Sequence, residues 1–170
     1  MLERIAGVRI VNIEPHADQR GAFTEVFRSD WKLGCNPVQW NLDHSVAGTL
    51  RGLHAHKARY DYLTLVWGRM FLALHDARPQ SSTFGLTLTA DLSPSTARAL
   101  ILPPGVAHGF YYPEDSAVLI GFTVAWDPSD DIRCHYLAPE LGIRWPGPVE
   151  HISPSDASAP GYRDFLHALA

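Results

Sequence analysis

The stretch Gly48–Gly68, GTLRGLHAHKARYDYLTLVWG, constrains this chain more than any other. Two histidines, His54 and His56, stand one residue apart in a run that reads as extended. Side chains at i and i+2 of a strand share a face, so the spacing predicts that both imidazoles look into one interior. Arg51, three residues before His54, faces the other way in an ideal strand. Gly52 between them offers a place for a bulge that re-aims it.

The rest of the chain supplies strands to surround that stretch. Strand-like runs succeed one another at Val8–Ile13, Ala22–Phe27, Val38–Leu42, Thr49–His56, Tyr62–Val66, Met70–His75, Leu86–Asp91, Ala99–Leu102 and Ala117–Ala125. Turn chemistry separates them, as in Asp18-Gln19-Arg20-Gly21, Gly34-Cys35-Asn36-Pro37 and Pro103-Pro104-Gly105. Many short strands with almost no helical periodicity predict an all-β sandwich or barrel. The exception follows Pro160, where Tyr162, Phe165, Leu166 and Leu169 fall on one helical face. This predicts a short C-terminal helix packed on the outside of the barrel. Neither an internal repeat nor a linker divides the 170 residues, so residues 1–170 read as one domain.

Composition narrows the partners. A formal charge of −4 gives no reason to expect nucleic acid or an anionic membrane. No apolar stretch approaches a membrane span, and MLERIAGVRIVNIEP lacks the pattern of a signal peptide. Cys35 and Cys134 alone do not make a disulfide framework. The expectation is a soluble, cytoplasmic protein.

The spacing Gly48-x5-His54-x-His56-x4-Asp61-x6-Gly68 resembles the first signature of the cupin barrels, with Asp61 where glutamate is usual. Pro103-x-Gly105-x2-His108 resembles its second half, and the fixed Pro-Pro-Gly backbone aims His108 at the barrel mouth. Two chemistries use these residues. As a metal site, His54, His56, Asp61 and His108 suit Fe, Mn, Ni or Zn. As an acid/base site, an imidazole removes the proton next to a ketone while positive groups hold the enolate. Spacing by itself favours the metal. The remaining histidines, in turns, strand ends and the tail, read as structural or solvent-facing.

Seven further segments point the other way: DQRGAFTEVF (18–27), VQWN (38–41), LRGLH (50–54), DARPQSSTFG (76–85), LILPPGVAHGF (100–110), LGIRWP (141–146) and ISPSD (152–156). In these and in their order the chain resembles the dTDP-4-dehydrorhamnose 3,5-epimerase family of cupin-fold, jelly-roll enzymes. The resemblance implies a homodimer that acts on a nucleoside-diphospho-4-keto-6-deoxyhexose, dTDP-linked, with no metal or other cofactor. It implies that His54 is the base and Asp156 the carboxylate paired with it, which fixes the tautomer and stabilises the imidazolium. Arg20, Glu25, Gln39, Asn41 and Arg51 match positions that hold nucleotide, phosphates or sugar, and arginine forks suit a pyrophosphate. His108 is implied to lie near the sugar.

The chain also departs from that pattern. The family's tyrosine acid, in the strand after AHGF, aligns with Ile120, and a lysine expected after RGLH is replaced near Asp61 and Tyr62. The segment RGLHAHK resembles instead the motif of dTDP-sugar 3,4-ketoisomerases, adding His56 and Lys57 as polar groups. Tyr60, Tyr62, Tyr111 and Tyr112 are candidates for a replacement acid or for stacking on a base. The expectation is a 3,5-epimerase-like enzyme, or a 3- or 5-monoepimerase if the tyrosine place is apolar, since single epimerisation is then easier to sustain. The alternatives are a 3,4-ketoisomerase, a metal-dependent cupin and a binding homologue without catalysis.

Overall fold

In the computed structural model of the chain, residues 2–94 and 98–170 are described. The strands are β1 (Arg9–Asn12), β2 (Pro15–Asp18), β3 (Gly21–Thr24), β4 (Gln39–Ser45), β5 (Thr49–Ala55), β6 (Asp61–Trp67) and β7 (Met70–Asp76). They continue with β8 (Thr87–Leu92), β9 (Arg98–Leu102), β10 (Val106–Tyr112), β11 (Ser116–Phe122), β12 (Ile132–Arg133) and β13 (His151–Ile152). Helices α1 (Pro154–Ala157) and α2 (Tyr162–Leu169) end the chain.

Two sheets form the body. One has the order β1-β9-β6-β11-β4; the other runs β12-β5-β10-β7-β8, with β13 laid parallel on β5. Leu63 and Val118 of the first sheet pack with Leu72, Leu74, Phe110 and Tyr112 of the second. Burying an aliphatic side chain of this size contributes about 1.5–3 kcal/mol, so this layer fixes how the sheets face each other. The expected all-β architecture with a short terminal helix is what forms.

Strand β10 is missing from the runs expected from sequence, which pass from Ala99–Leu102 to Ala117–Ala125. All its residues are buried, and a strand covered on both faces shows no polar alternation to announce it. The Asp18–Gly21 turn is the loop of a hairpin whose first strand, β2, also went unread. Both of its strands are largely exposed, so it has no buried face to impose a pattern. Helix α2 behaves as its periodicity predicts: Phe165 is fully buried with Leu53, Ala55 and Cys134, bracing the back of β5. Cys35 and Cys134 are free and buried. Among the described residues no helix is long and apolar enough to cross a membrane.

Candidate active site

Strand β5 carries the site. Against β10 its register sets His54 opposite His108 and Arg51 opposite Phe110, so β5 holds one residue more than its partner between these pairs. This is the bulge expected at Gly52. The glycine sits at φ 120°, and a Cβ there would lie 2.7 Å from Gly109 Cα, so neither the conformation nor the space admits a side chain. The bulge turns Arg51 to the same side as His54, and both line a cavity of about 710 Å³ between the sheets. Ligand sites are usually of this size.

His54 Nε2 lies 2.6 Å from Asp156 Oδ1 across 102 positions of sequence. Strand β13 explains how: it pairs with Thr49 and Leu50 and delivers the chain to α1 beside β5. Ser153 caps α1 by accepting from the Asp156 N–H at 3.0 Å, which sets the carboxylate's direction. Burial opposes the Asp156 charge, but hydrogen bonding and charge from His54, with help from Ser153 and the Gly52 N–H, outweigh it and lower its pKa. A carboxylate held ionised on Nε2 keeps that nitrogen protonated and leaves Nδ1 as the basic one.

Sequence reasoning missed two residues here. Arg133 on β12 sits opposite His54 in the ladder. It pairs with Asp131 and brings Nε to 3.2 Å from Asp156 Oδ1 without hydrogen-bond alignment. Asp131 Oδ1 is 3.8 Å from His54 Nδ1. The nearby sequence DDIR is the signal that could have drawn notice: three charges in four residues on a segment too short to be a packed strand.

His56 and His108 belong to a second cluster. His108 Nε2 is 3.2 Å and His56 Nε2 3.4 Å from Asp61 Oδ2. Arg59, also missed, donates from Nε to Asp61 Oδ1 at 2.9 Å, and its Nη2 lies 2.9 Å from His56 Nε2. Burial acts against the Asp61 charge, but the flanking imidazoles, His108 foremost, outweigh it and hold the carboxyl far below the carboxylate range. The two expected inward histidines therefore diverge. His54 is 23% exposed to the cavity; His56, at 3%, is tied behind it to the Asp130 carbonyl at 2.8 Å.

The four-ligand metal reading fails on this geometry. His54 is spoken for by Asp156, and only His56, Asp61 and His108 converge. Among these, the lone pair of His56 Nε2 and the Asp61 carboxylate already meet a guanidinium. A divalent cation would have to displace a like charge from a buried position, so the donor set does not fit a metal.

The other named residues fall into two groups. Arg51 reaches Asp43 at 2.9 Å and Ser45 Oγ at 2.9 Å on the cavity wall, and Asn41 lines the same wall. Gln39 stands behind, donating to Asn41 Oδ1 at 2.9 Å. Arg20, in the β2–β3 turn, is 85% exposed and bound to Asp18; Glu25 pairs with Arg28. Lys57 lies beside Pro104 and the end of α2. The structure does not bring these three to the cavity of their own chain.

Ile120 does line the cavity, on the sheet facing β5. None of the four tyrosines takes its place. Tyr111 donates to Pro148 O, Tyr62 to Val26 O and Tyr112 to Asp43, while Tyr60 is exposed. Burial, then Asp43, pushes the Tyr112 hydroxyl far above its ordinary range.

Comparison with known proteins fits this geometry. The family model described as dTDP-4-dehydrorhamnose 3,5-epimerase matches residues 3–164. A dTDP-4-dehydrorhamnose 3-epimerase of Streptomyces niveus is 34% identical over 164 residues, 91% of this chain and 79% of the relative. The crystal structure of NovW, a 4-keto-6-deoxy sugar epimerase of the novobiocin gene cluster of Streptomyces spheroides, superposes with a TM-score of 0.87 at 31% identity, covering 96% of this chain and 87% of that one. ChmJ, a 3'-monoepimerase from Streptomyces bikiniensis in complex with dTDP-quinovose, gives 0.85 at 26%, covering 96% and 86%. The chain belongs to the dTDP-4-dehydrorhamnose 3,5-epimerase family, epimerases of the cupin fold.

Proposed function

We propose that this epimerase inverts a single carbon beside the ketone of a dTDP-linked 4-keto-6-deoxyhexose. The observation that carries the reading is the 2.6 Å contact between His54 and Asp156 at a cavity wall. In this reading Nδ1 of His54 takes the proton next to C4 and the electron pair moves into the C4 oxygen while Asp156 stabilises the imidazolium. The enolate then collapses back to the ketone as water delivers a proton to the opposite face of that carbon, and the imidazolium gives its proton to the solvent. Arg51 and Asn41 hold the substrate within the cavity, and Gln39 supports Asn41.

The protein works as a cytoplasmic homodimer in this account. Arg20 and Glu25 stand on or beside the exposed hairpin β2–β3, away from their own cavity, and serve the nucleotide of a second copy. A ketoisomerase would need a second imidazole on the substrate next to His54, whereas His56 is tied to Asp130 and Arg59.

Incubation with dTDP-4-keto-6-deoxyglucose in D2O tests the chemistry: deuterium should enter at C3 or C5. A sugar recovered without deuterium would reject the reading, and light scattering that gives a mass of 18.8 kDa would reject the dimer.

A further inference from the structure

Removing a proton beside a ketone puts negative charge on the ketone oxygen, and a buried site has to meet that charge with a positive one. Three charged groups line the cavity. Arg51 is paired with Asp43, so that group is neutral. Arg133 faces both Asp131 and Asp156, so that group is net negative beside a neutral His54. The third group, on the cavity side of Arg59, is different.

His108 Nδ1 lies 3.2 Å from its own chain's Val106 carbonyl, and Nε2 lies 3.2 Å from the Asp61 carboxylate. Both partners are acceptors, so both ring nitrogens act as donors. Arg59 on Oδ1 at 2.9 Å favours an ionised Asp61. We propose that His108 is held as a doubly protonated imidazolium by Asp61, with Arg59 and His56 fixing that carboxylate, and that its charge stabilises the enolate oxygen formed when His54 removes the proton. His108 is paired with His54 across the β5–β10 ladder, and both line the same cavity. His108 is the catalytic residue of this set, and Asp61, Arg59 and His56 position it. The inference rests on the epimerase reading above.

Packing alone does not account for the cluster. Arg59 is 5% exposed, its Nη1 has no hydrogen-bond partner, and its guanidinium lies 3.8 Å over the Phe122 ring. Buried ionic sets of this kind contribute less stability than apolar residues of equal volume. The groups that face His108 are few. His54 and His56 come from β5 and its end, Asp61 from β6 and Arg59 from the segment before it; Leu74 of β7 and Phe110 of its own strand are uncharged.

Two measurements test this. In wild-type protein labelled with 15N-histidine, NMR should show both His108 nitrogens protonated at pH 8, and in Asp61→Asn one of them should have lost its proton at that pH. In the deuterium assay His108→Gln should slow exchange by about 10²-fold with little change in KM. Asp61→Asn should show the same loss at pH 8, and its rate relative to wild type at the same pH should rise as pH falls, which a merely structural lesion would not do. A neutral His108 in wild type at pH 7 overturns the proposal even if no variant folds. A charged ring together with exchange in His108→Gln within threefold of wild type overturns the catalytic role. A charged ring in a wild type that exchanges nothing overturns the proposed function, and the catalytic role with it.

Discussion

Two histidine–aspartate pairs flank one cavity, and they are built for opposite duties. His54–Asp156 is partly open: one ring nitrogen is held at 2.6 Å, the other has only the Asp131 carboxylate at 3.8 Å, and the side chain is 23% exposed. His108–Asp61 is closed: both ring nitrogens are engaged, the carboxylate is 2% exposed, and an arginine backs it. A base needs a free lone pair and solvent to return its proton; a fixed charge needs neither. The difference teaches that the surroundings of an imidazole, and not its motif, decide what it does.

Removing the open pair's base should have the largest effect. His54→Asn is expected to slow deuterium exchange by about 10²–10⁴-fold, with dTDP binding by calorimetry unchanged. A loss below tenfold would take His54 out of the mechanism. The closed pair should dominate stability instead. Asp61→Asn leaves Arg59 buried without its carboxylate and is expected to cost about 3–5 kcal/mol in urea unfolding, whereas Asp156→Asn should cost less. Equal costs would erase the distinction between the pairs. Asp156→Asn should act mainly on rate, by about 10²-fold and less than His54→Asn.

A smaller change concerns the apolar wall. Ile120→Tyr should raise the ratio of inverted product to exchanged substrate, by about 10²-fold or less in an unadapted site. No rise would mean that the hydroxyl of a residue at 120 does not reach the reacting carbon. The smallest effect is on acid stability. Both Asp61 and Asp156 have folded pKa values below their unfolded ones. The stability this gives is complete above the ordinary carboxylate value, about 3.9, and is lost as pH falls through the folded values. The contribution of these two carboxylates to the urea midpoint should therefore be lost only below about pH 4, and the fall there should be shallower in Asp156→Asn.

The open pair was legible in the sequence only through resemblance, because 102 residues separate its members and β13, which joins them, is two residues long. The barrel itself was legible from turn spacing, and the Gly52 bulge from one glycine between two polar residues. The closed pair was half legible. The HxH…D…H spacing located His56, Asp61 and His108 together, but suggested a metal because no spacing rule includes Arg59, three residues past His56. Arg133, and Asp131 just before its strand, were hidden because that two-residue strand gains its place from β5 and not from its own pattern.

In the proposed mechanism His54 works from one wall, and Ile120 presents an apolar side chain on the facing wall where the family's tyrosine acid aligns. The direct test follows solvent deuterium uptake and stereochemical inversion on one sample of dTDP-4-keto-6-deoxyglucose with wild-type protein, both read by NMR. Exchange beside the ketone should outpace net inversion, and inversion should favour one carbon. Inversion of both carbons as fast as they exchange would contradict the claim and place an acid opposite His54.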